Sequence, residues 1–215
     1  MTAGTGFLSG AIEGFYGRPW DRAERHQLLG WMEAWGLNTY LYAPKDDLHH
    51  RAAWREPYGA AEERSLRELI EACRARGVAF VYGLAPGLDI RYGEQAEVDR
   101  ICGRFEQLMR AGCVDFALLF DDIPGSIDER ELVRWGSLAA AQSHVANGVV
   151  GWTRERHPQA RFLFCPTPSD FHLPGTYRGG IVARLQRLLV QRPGGTFEAA
   201  PDANASGFPE DRTRA

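Results

Sequence analysis

The chain has 215 residues, enough for one domain with a sizeable core and too few for two ordinary ones. A hydrophobic content of 44%, a charged content of 25% and a formal net charge of -3 fit a globular protein and give no electrostatic reason to expect nucleic acid or an anionic membrane as partner. No stretch approaches the roughly 20 apolar residues of a bilayer span, and residues 1–6 (MTAGTG) lack the cationic and apolar regions of a secretory signal, so a cytoplasmic location is expected.

Short apolar runs alternate with helical patterns along the chain. The first run is 7–12, followed by a predicted helix over 21–35, with Asp21 and Glu24 as a start signal and Gly36 as a stop. A second run (37–42) precedes a helix over 61–76, and a third (78–84) precedes one over 94–111 that places Ile101, Phe105, Leu108 and Met109 on one face. The fourth run, 116–120 (FALLF), is apolar on both faces, as in a parallel strand buried on both sides. One long helical region over 129–156, a fifth run over 161–165 and a last helical pattern over 181–190 complete the series. Residues 191–215 lack periodicity and read as an irregular or disordered tail after a domain over 1–190.

Five strand–helix units in strict alternation predict a parallel α/β sheet with right-handed crossovers. A doubly wound sheet that binds a dinucleotide would carry a glycine-rich GxGxxG loop after its first strand, but the segment there reads EGFYGRPW. Polar residues instead gather just after every strand, where a (β/α)8 TIM-type barrel builds its active site, so an incomplete barrel of about five βα units is expected. Cys73, Cys102, Cys113 and Cys165 are scattered without metal-ligand spacing and read as reduced, buried small hydrophobes.

The strand ends supply Glu13-Gly14-Phe15-Tyr16, Tyr42 to Asp47, Ala85 to Asp89, Asp121-Asp122-Ile123-Pro124 and Pro166-Thr167. Asp121 and Asp122 would repel each other if both ionised in a confined site, a setting that pushes the two titrations apart and leaves one acid and one anion. Neighbours on a continuing strand point to opposite faces, so a shared site requires the strand to end here, as Pro124 encourages. A helix cap, a solvated turn or a metal pair are the other readings of this dipeptide. Of 25 basic residues, 24 are arginine; Lys45 is the exception and falls in a strand-end loop. Its ammonium suits sugar hydroxyls or a carbonyl, or else a surface ion pair with Asp46 or Asp47. Gly14 permits close backbone approach or a turn. Tyr16, Trp20, Tyr42 and Trp54 offer aromatic surface for a sugar, although some of the four must belong to the core, and His49-His50 reads as an exposed, solvated loop.

In order and at natural spacing, GAIEGFYGRPW (10–20), LNTYLYAPKDD (37–47), WREPYG (54–59), LAPGLDI (84–90), FALLFDDIP (116–124) and FCPT (164–167) strongly resemble the O-GlcNAcase and bacterial hyaluronidase-type β-N-acetylglucosaminidases, glycoside hydrolase family 84. The resemblance covers roughly residues 7–170. It implies retaining hydrolysis of N-acetylglucosamine-bearing glycans or glycoproteins, assisted by the substrate's own acetamido group through an oxazoline, an exception to two-carboxylate chemistry. It further implies that Asp121 orients the acetamido N–H, that Asp122 is the general acid and then base, that Gly14, Tyr16 and Lys45 contact the sugar, and that no metal or other cofactor is needed. Two departures stand out. After FCPT the chain reads Pro168-Ser169-Asp170-Phe171 where the family usually carries a tyrosine, and the family's later sugar-gripping segment does not follow. These raise the alternative of a truncated, non-catalytic remnant that binds N-acetylglucosamine weakly; the oligomeric state is not legible.

Overall fold

The computed structural model describes residues 7–167 and Leu189–Gln191. Strands β1 (Gly10–Glu13), β2 (Thr39–Tyr42), β3 (Ala79–Leu84), β4 (Asp115–Leu119) and β5 (Phe162–Cys165) pair in sequence order, each parallel to the next. Between them run α1 (Arg22–Ala34), α2 (Ala60–Ala75), α3 (Gln95–Arg110), α4 (Glu129–Trp135) and α5 (Leu138–Arg156). The parallel α/β organisation predicted from the alternation is therefore present.

Local chemistry explains the element ends. At α1, Glu24 N donates to Asp21 Oδ1 at 2.9 Å while Asp21 N donates back to Glu24 Oε2 at 2.8 Å, satisfying two amides with no intrahelical partner. Such a cap contributes about 1 kcal/mol. The predicted single helix over 129–156 is two helices. Gly136 takes φ 76°, a conformation that closes α4, and Ser137 Oγ accepts from Ala140 N at 3.1 Å to open α5.

The strands sort their side chains by size. On one face Tyr40, Tyr82, Phe116, Phe162 and Phe164 are buried beneath the helices, with Phe105 of α3 stacked on Phe116 at 4.4 Å. On the other, Leu41, Val81, Ala117, Leu119, Leu163 and Cys165 form a smaller aliphatic cluster. Ile12 of β1 and Cys165 of β5 line one pocket on that second face. Four strand steps along a flat sheet would separate them by roughly 19 Å, so the sheet curls strongly, as in an arc of a barrel. All four cysteines are free and buried.

The last helical pattern meets a different outcome. Leu189–Gln191 form β6, antiparallel to β5 with Phe164 opposite Leu189, so residues 189–190 are strand rather than helix. Three residues paired to an existing sheet edge satisfy their backbone there without the nucleation cost of a helical turn. The remainder of that pattern and the tail from 192 onward lie outside the described residues. No described helix is long and apolar enough to cross a membrane.

Candidate active site

The inner face of the sheet leads directly to the candidate residues. Ala117, Leu119 and Asp121 share one parity along β4, so Asp121 follows the aliphatic side chains inward and is buried at 5% exposure. Asp122 would point away if the strand continued. Instead β4 stops at Leu119, and Asp122 takes φ 53°, the only positive φ among the described non-glycine residues. Aspartate tolerates this left-handed conformation better than most residues. The turn brings its carboxylate round to the same side.

Lys45 arrives from β2 with the parity of Leu41 and Ala43. Its backbone N–H donates to Phe15 O at 3.1 Å, which holds the loops after β1 and β2 together. The ammonium lies 2.5 Å from Asp121 Oδ2 and 3.7 Å from Asp122 Oδ2. A single cation thus stands between the two carboxylates and offsets their repulsion. The surface pairing of Lys45 with Asp46 or Asp47 does not occur: Lys45 is 8% exposed, and Asp47 instead accepts from the hydroxyls of Tyr42 and Tyr58 at 2.8 and 2.7 Å.

Gly14, Lys45 and Asp121 line one pocket together with Ile12, Leu41 and Cys165. At Gly14 an added Cβ would stand 3.0 Å from Ile12 Cγ2, so the bare backbone keeps that wall open. Tyr16 is 61% exposed, with its hydroxyl 3.5 Å from Asp122 Oδ2. Asp122 adjoins the pocket beside Lys45, its side chain 41% exposed. Of the five residues singled out from the sequence, Gly14, Lys45 and Asp121 line one pocket, Asp122 adjoins it through Lys45, and Tyr16 adjoins Asp122. The segment 168–171, where the expected tyrosine is missing, lies outside the described residues.

Trp54 is 1% exposed and its indole N–H donates to Asp89 Oδ1, while Tyr42 is 7% exposed, so these two are the members of the aromatic set that belong to the core. Trp20 packs edge-on against Phe15 at 5.1 Å. Asp89, a strand-end acid, is engaged by Arg55 at 2.5 Å. His50 is fully buried rather than solvated, because its Nδ1 lies 2.8 Å from Gly83 O and its own carbonyl accepts from Ala85 N. Burial pushes its pKa down to about 4, and the Lys45 ammonium adds to the fall.

Two groups escaped sequence reasoning. Arg51, 8% exposed, reaches both Tyr16 and Asp122 and was hidden among 24 arginines. Gln142 of α5 bonds Thr167 on both its amide and hydroxyl sides, and Thr167 Oγ1 donates to Phe120 O at 2.8 Å. That chain of bonds fixes the backbone immediately before Asp121. No group of three or more His, Cys, Asp or Glu side chains among the described residues is arranged to hold a metal ion.

Chemically, the pocket offers a buried carboxylate paired with an ammonium, suited to accepting an N–H, and a second carboxylate open to solvent, suited to exchanging a proton.

A family model described as NAGidase, beta-N-acetylglucosaminidase, matches residues 9–188. The chain is 43% identical over 172 residues to the protein O-GlcNAcase of Rattus norvegicus, covering 77% of this chain and 18% of that protein. Against the protein O-GlcNAcase of Mus musculus it is 44% identical over 161 residues, covering 75% and 17%. The chain thus spans less than a fifth of the length of these curated relatives. A solved structure of a mutant Thermobaculum terrenum O-GlcNAc hydrolase matches with a TM-score of 0.71 and 34% identity, over 74% of this chain and 35% of that one.

Proposed function

The chain belongs to the beta-N-acetylglucosaminidase (NAGidase) family, and from that premise we propose that it hydrolyses terminal β-linked N-acetylglucosamine, carried on a glycan or as O-GlcNAc on a protein, with retention of configuration. The observation that supports the reading most is the gathering of Asp121 and Asp122 about Lys45, whose Nζ lies 2.5 Å from the first carboxylate and 3.7 Å from the second.

In this reading the 2-acetamido oxygen of the sugar attacks the anomeric carbon as the glycosidic C–O bond breaks. Asp122, in its protonated form, gives its proton to the departing oxygen. Asp121 accepts a hydrogen bond from the acetamido N–H and stabilises the positive charge that develops across the forming oxazoline. Water then attacks the same carbon, Asp122 takes its proton, and the acetamido group is restored. The nucleophile is already tethered to the sugar, and intramolecular reactions of this kind reach effective molarities of about 10⁵ M or more.

The environments divide the labour. Asp121 is enclosed and held by an ammonium, which fits a fixed hydrogen-bond acceptor. Asp122 is partly open to water, which fits a group that must meet first a leaving group and then a water molecule. Lys45 and Gly14 line the pocket where the sugar would sit. A cytoplasmic setting belongs to the same reading, supported by four buried free thiols.

Assay of 4-nitrophenyl N-acetyl-β-glucosaminide with the chain and with its Asp122→Ala variant tests the assignment. Turnover by the unchanged chain and a large loss in the variant are expected. Equal turnover by both would remove Asp122 from the role of acid.

A further inference from the structure

Arg51 sits in the loop between β2 and α2, yet it contacts the ends of two other strands. Its Nη1 donates to Tyr16 Oη at 3.0 Å and its Nη2 donates to the Asp122 carbonyl oxygen at 2.8 Å. The guanidinium carbon also lies 5.6 Å from the centre of the Tyr16 ring. Tyr16 Oη in turn is 3.5 Å from Asp122 Oδ2.

We propose that Arg51 is a positioning residue for Asp122: it holds the Asp122 backbone in its left-handed turn and aims the Tyr16 hydroxyl at the Asp122 carboxylate. The inference rests on the reading of Asp122 as general acid and base.

Donor direction carries the argument. A guanidinium only donates, so the bond from Nη1 occupies a lone pair of Tyr16 and leaves its O–H free to point at Asp122. Tyr16 is 61% exposed, and Arg51 both bonds its hydroxyl and lies over its ring, so loss of Arg51 lets the ring swing toward solvent. At Asp122 the conformation with φ 53° is disfavoured for a residue with a side chain. A charge-assisted hydrogen bond to the carbonyl of that same residue is the kind of contact that keeps it there.

Tyr16 and Lys45 both approach Oδ2 of Asp122, so the proton that Asp122 passes to the leaving oxygen belongs on Oδ1. Arginine is suited to this task because one planar fork reaches two acceptors in fixed directions; a lysine would hold one of them.

The test compares Arg51→Met, Arg51→Lys and Tyr16→Phe with the unchanged chain on two N-acetyl-β-glucosaminides, one with a 2,4-dinitrophenyl leaving group and one with a methyl leaving group. Only the methyl glycoside depends strongly on proton donation. Arg51→Met is expected to lower kcat/KM on it, which reads the bond-breaking step alone, by roughly a hundredfold, the lower end of the span of general acid catalysis, with kcat/KM on the dinitrophenyl substrate much less affected. Arg51→Lys should recover part of the loss. Equal losses on both substrates, or none, would overturn the proposal. A crystal structure of Arg51→Met decides it without turnover: Asp122 should leave the positive-φ region or part from Tyr16, and an unmoved Asp122 would contradict the positioning role. Failure of the unchanged chain to cleave either substrate would count against the glycosidase reading, and the crystal comparison would still settle the role of Arg51.

Discussion

The ammonium of Lys45, carried past the end of β2, lies 2.5 Å from the carboxylate of Asp121, carried past the end of β4. The strand between them, β3, contributes Gly83 to the inner face. A Cβ added there would stand 3.0 Å from Leu119 Cδ1 and 3.1 Å from Ala43 Cβ, so the missing side chain lets β2 and β4 residues approach across it. The pair is almost fully enclosed, at 3% and 6% side-chain exposure, so its charges meet with little screening by water.

Lys45→Met should therefore be costly in two ways. Removing one partner of a buried ion pair destabilises by about 3–5 kcal/mol, which urea denaturation would read as a lower midpoint with an unchanged slope. It would also bring the two carboxylates face to face without a cation and cut kcat/KM. A variant with unaltered stability would show that the pair is more hydrated than its burial indicates.

Phe105 of α3 is fully buried and touches Phe116 at 4.4 Å, Phe162 at 6.3 Å and Tyr82 at 6.3 Å between ring centres. It joins α3 to β3, β4 and β5, and β4 delivers Asp121 and Asp122. Phe105→Ala should cost about 3–5 kcal/mol by lost transfer energy and the cavity left behind. Thermal or urea melts check the figure, and a loss below about 1 kcal/mol would mean that the aromatic layer collapses to fill the space.

His50 makes stability depend on pH. Its folded pKa of about 4 lies below the ordinary value of 6.5, so between those values the unfolded chain binds a proton that the folded chain does not. Stability contributed by neutral His50 is complete above pH 6.5 and is lost as pH falls toward 4. Between pH 7 and pH 5 the loss should be about 2 kcal/mol, given 1.36 kcal/mol per pKa unit. Urea melts at the two pH values, repeated with His50→Gln, isolate the effect. The variant should show a drop smaller by about that amount, and equal drops would place the pH sensitivity elsewhere.

The sequence and the structure agree where a pattern repeats and part where one residue decides. FALLF was legible as a buried parallel strand because both of its faces are apolar, and the Asp21/Glu24 box because two side chains and two amides suffice to cap a helix. The convergence of Gly14, Lys45 and Asp121 followed from a general rule that barrel sites gather at strand ends. The left-handed turn at Asp122 was not legible, since it is one dihedral angle held by Arg51 from a distant loop. His49-His50 looked solvated because polar pairs usually are; the burial of His50 depends on Gly83, 33 positions away. Gly136-Ser137 carried a stop and a start signal in adjacent positions, but the helical periodicity on either side concealed the break.

The central claim is that the sugar's own acetamido oxygen is the nucleophile, oriented by Asp121 while Asp122 moves the proton. Its most direct test is turnover of aryl β-glucosaminides whose N-acyl group is acetyl, fluoroacetyl, difluoroacetyl or trifluoroacetyl. Each fluorine withdraws electron density from the attacking oxygen and leaves the rest of the substrate nearly unchanged. A steady, steep fall in kcat/KM along the series is predicted; a flat series would contradict the account.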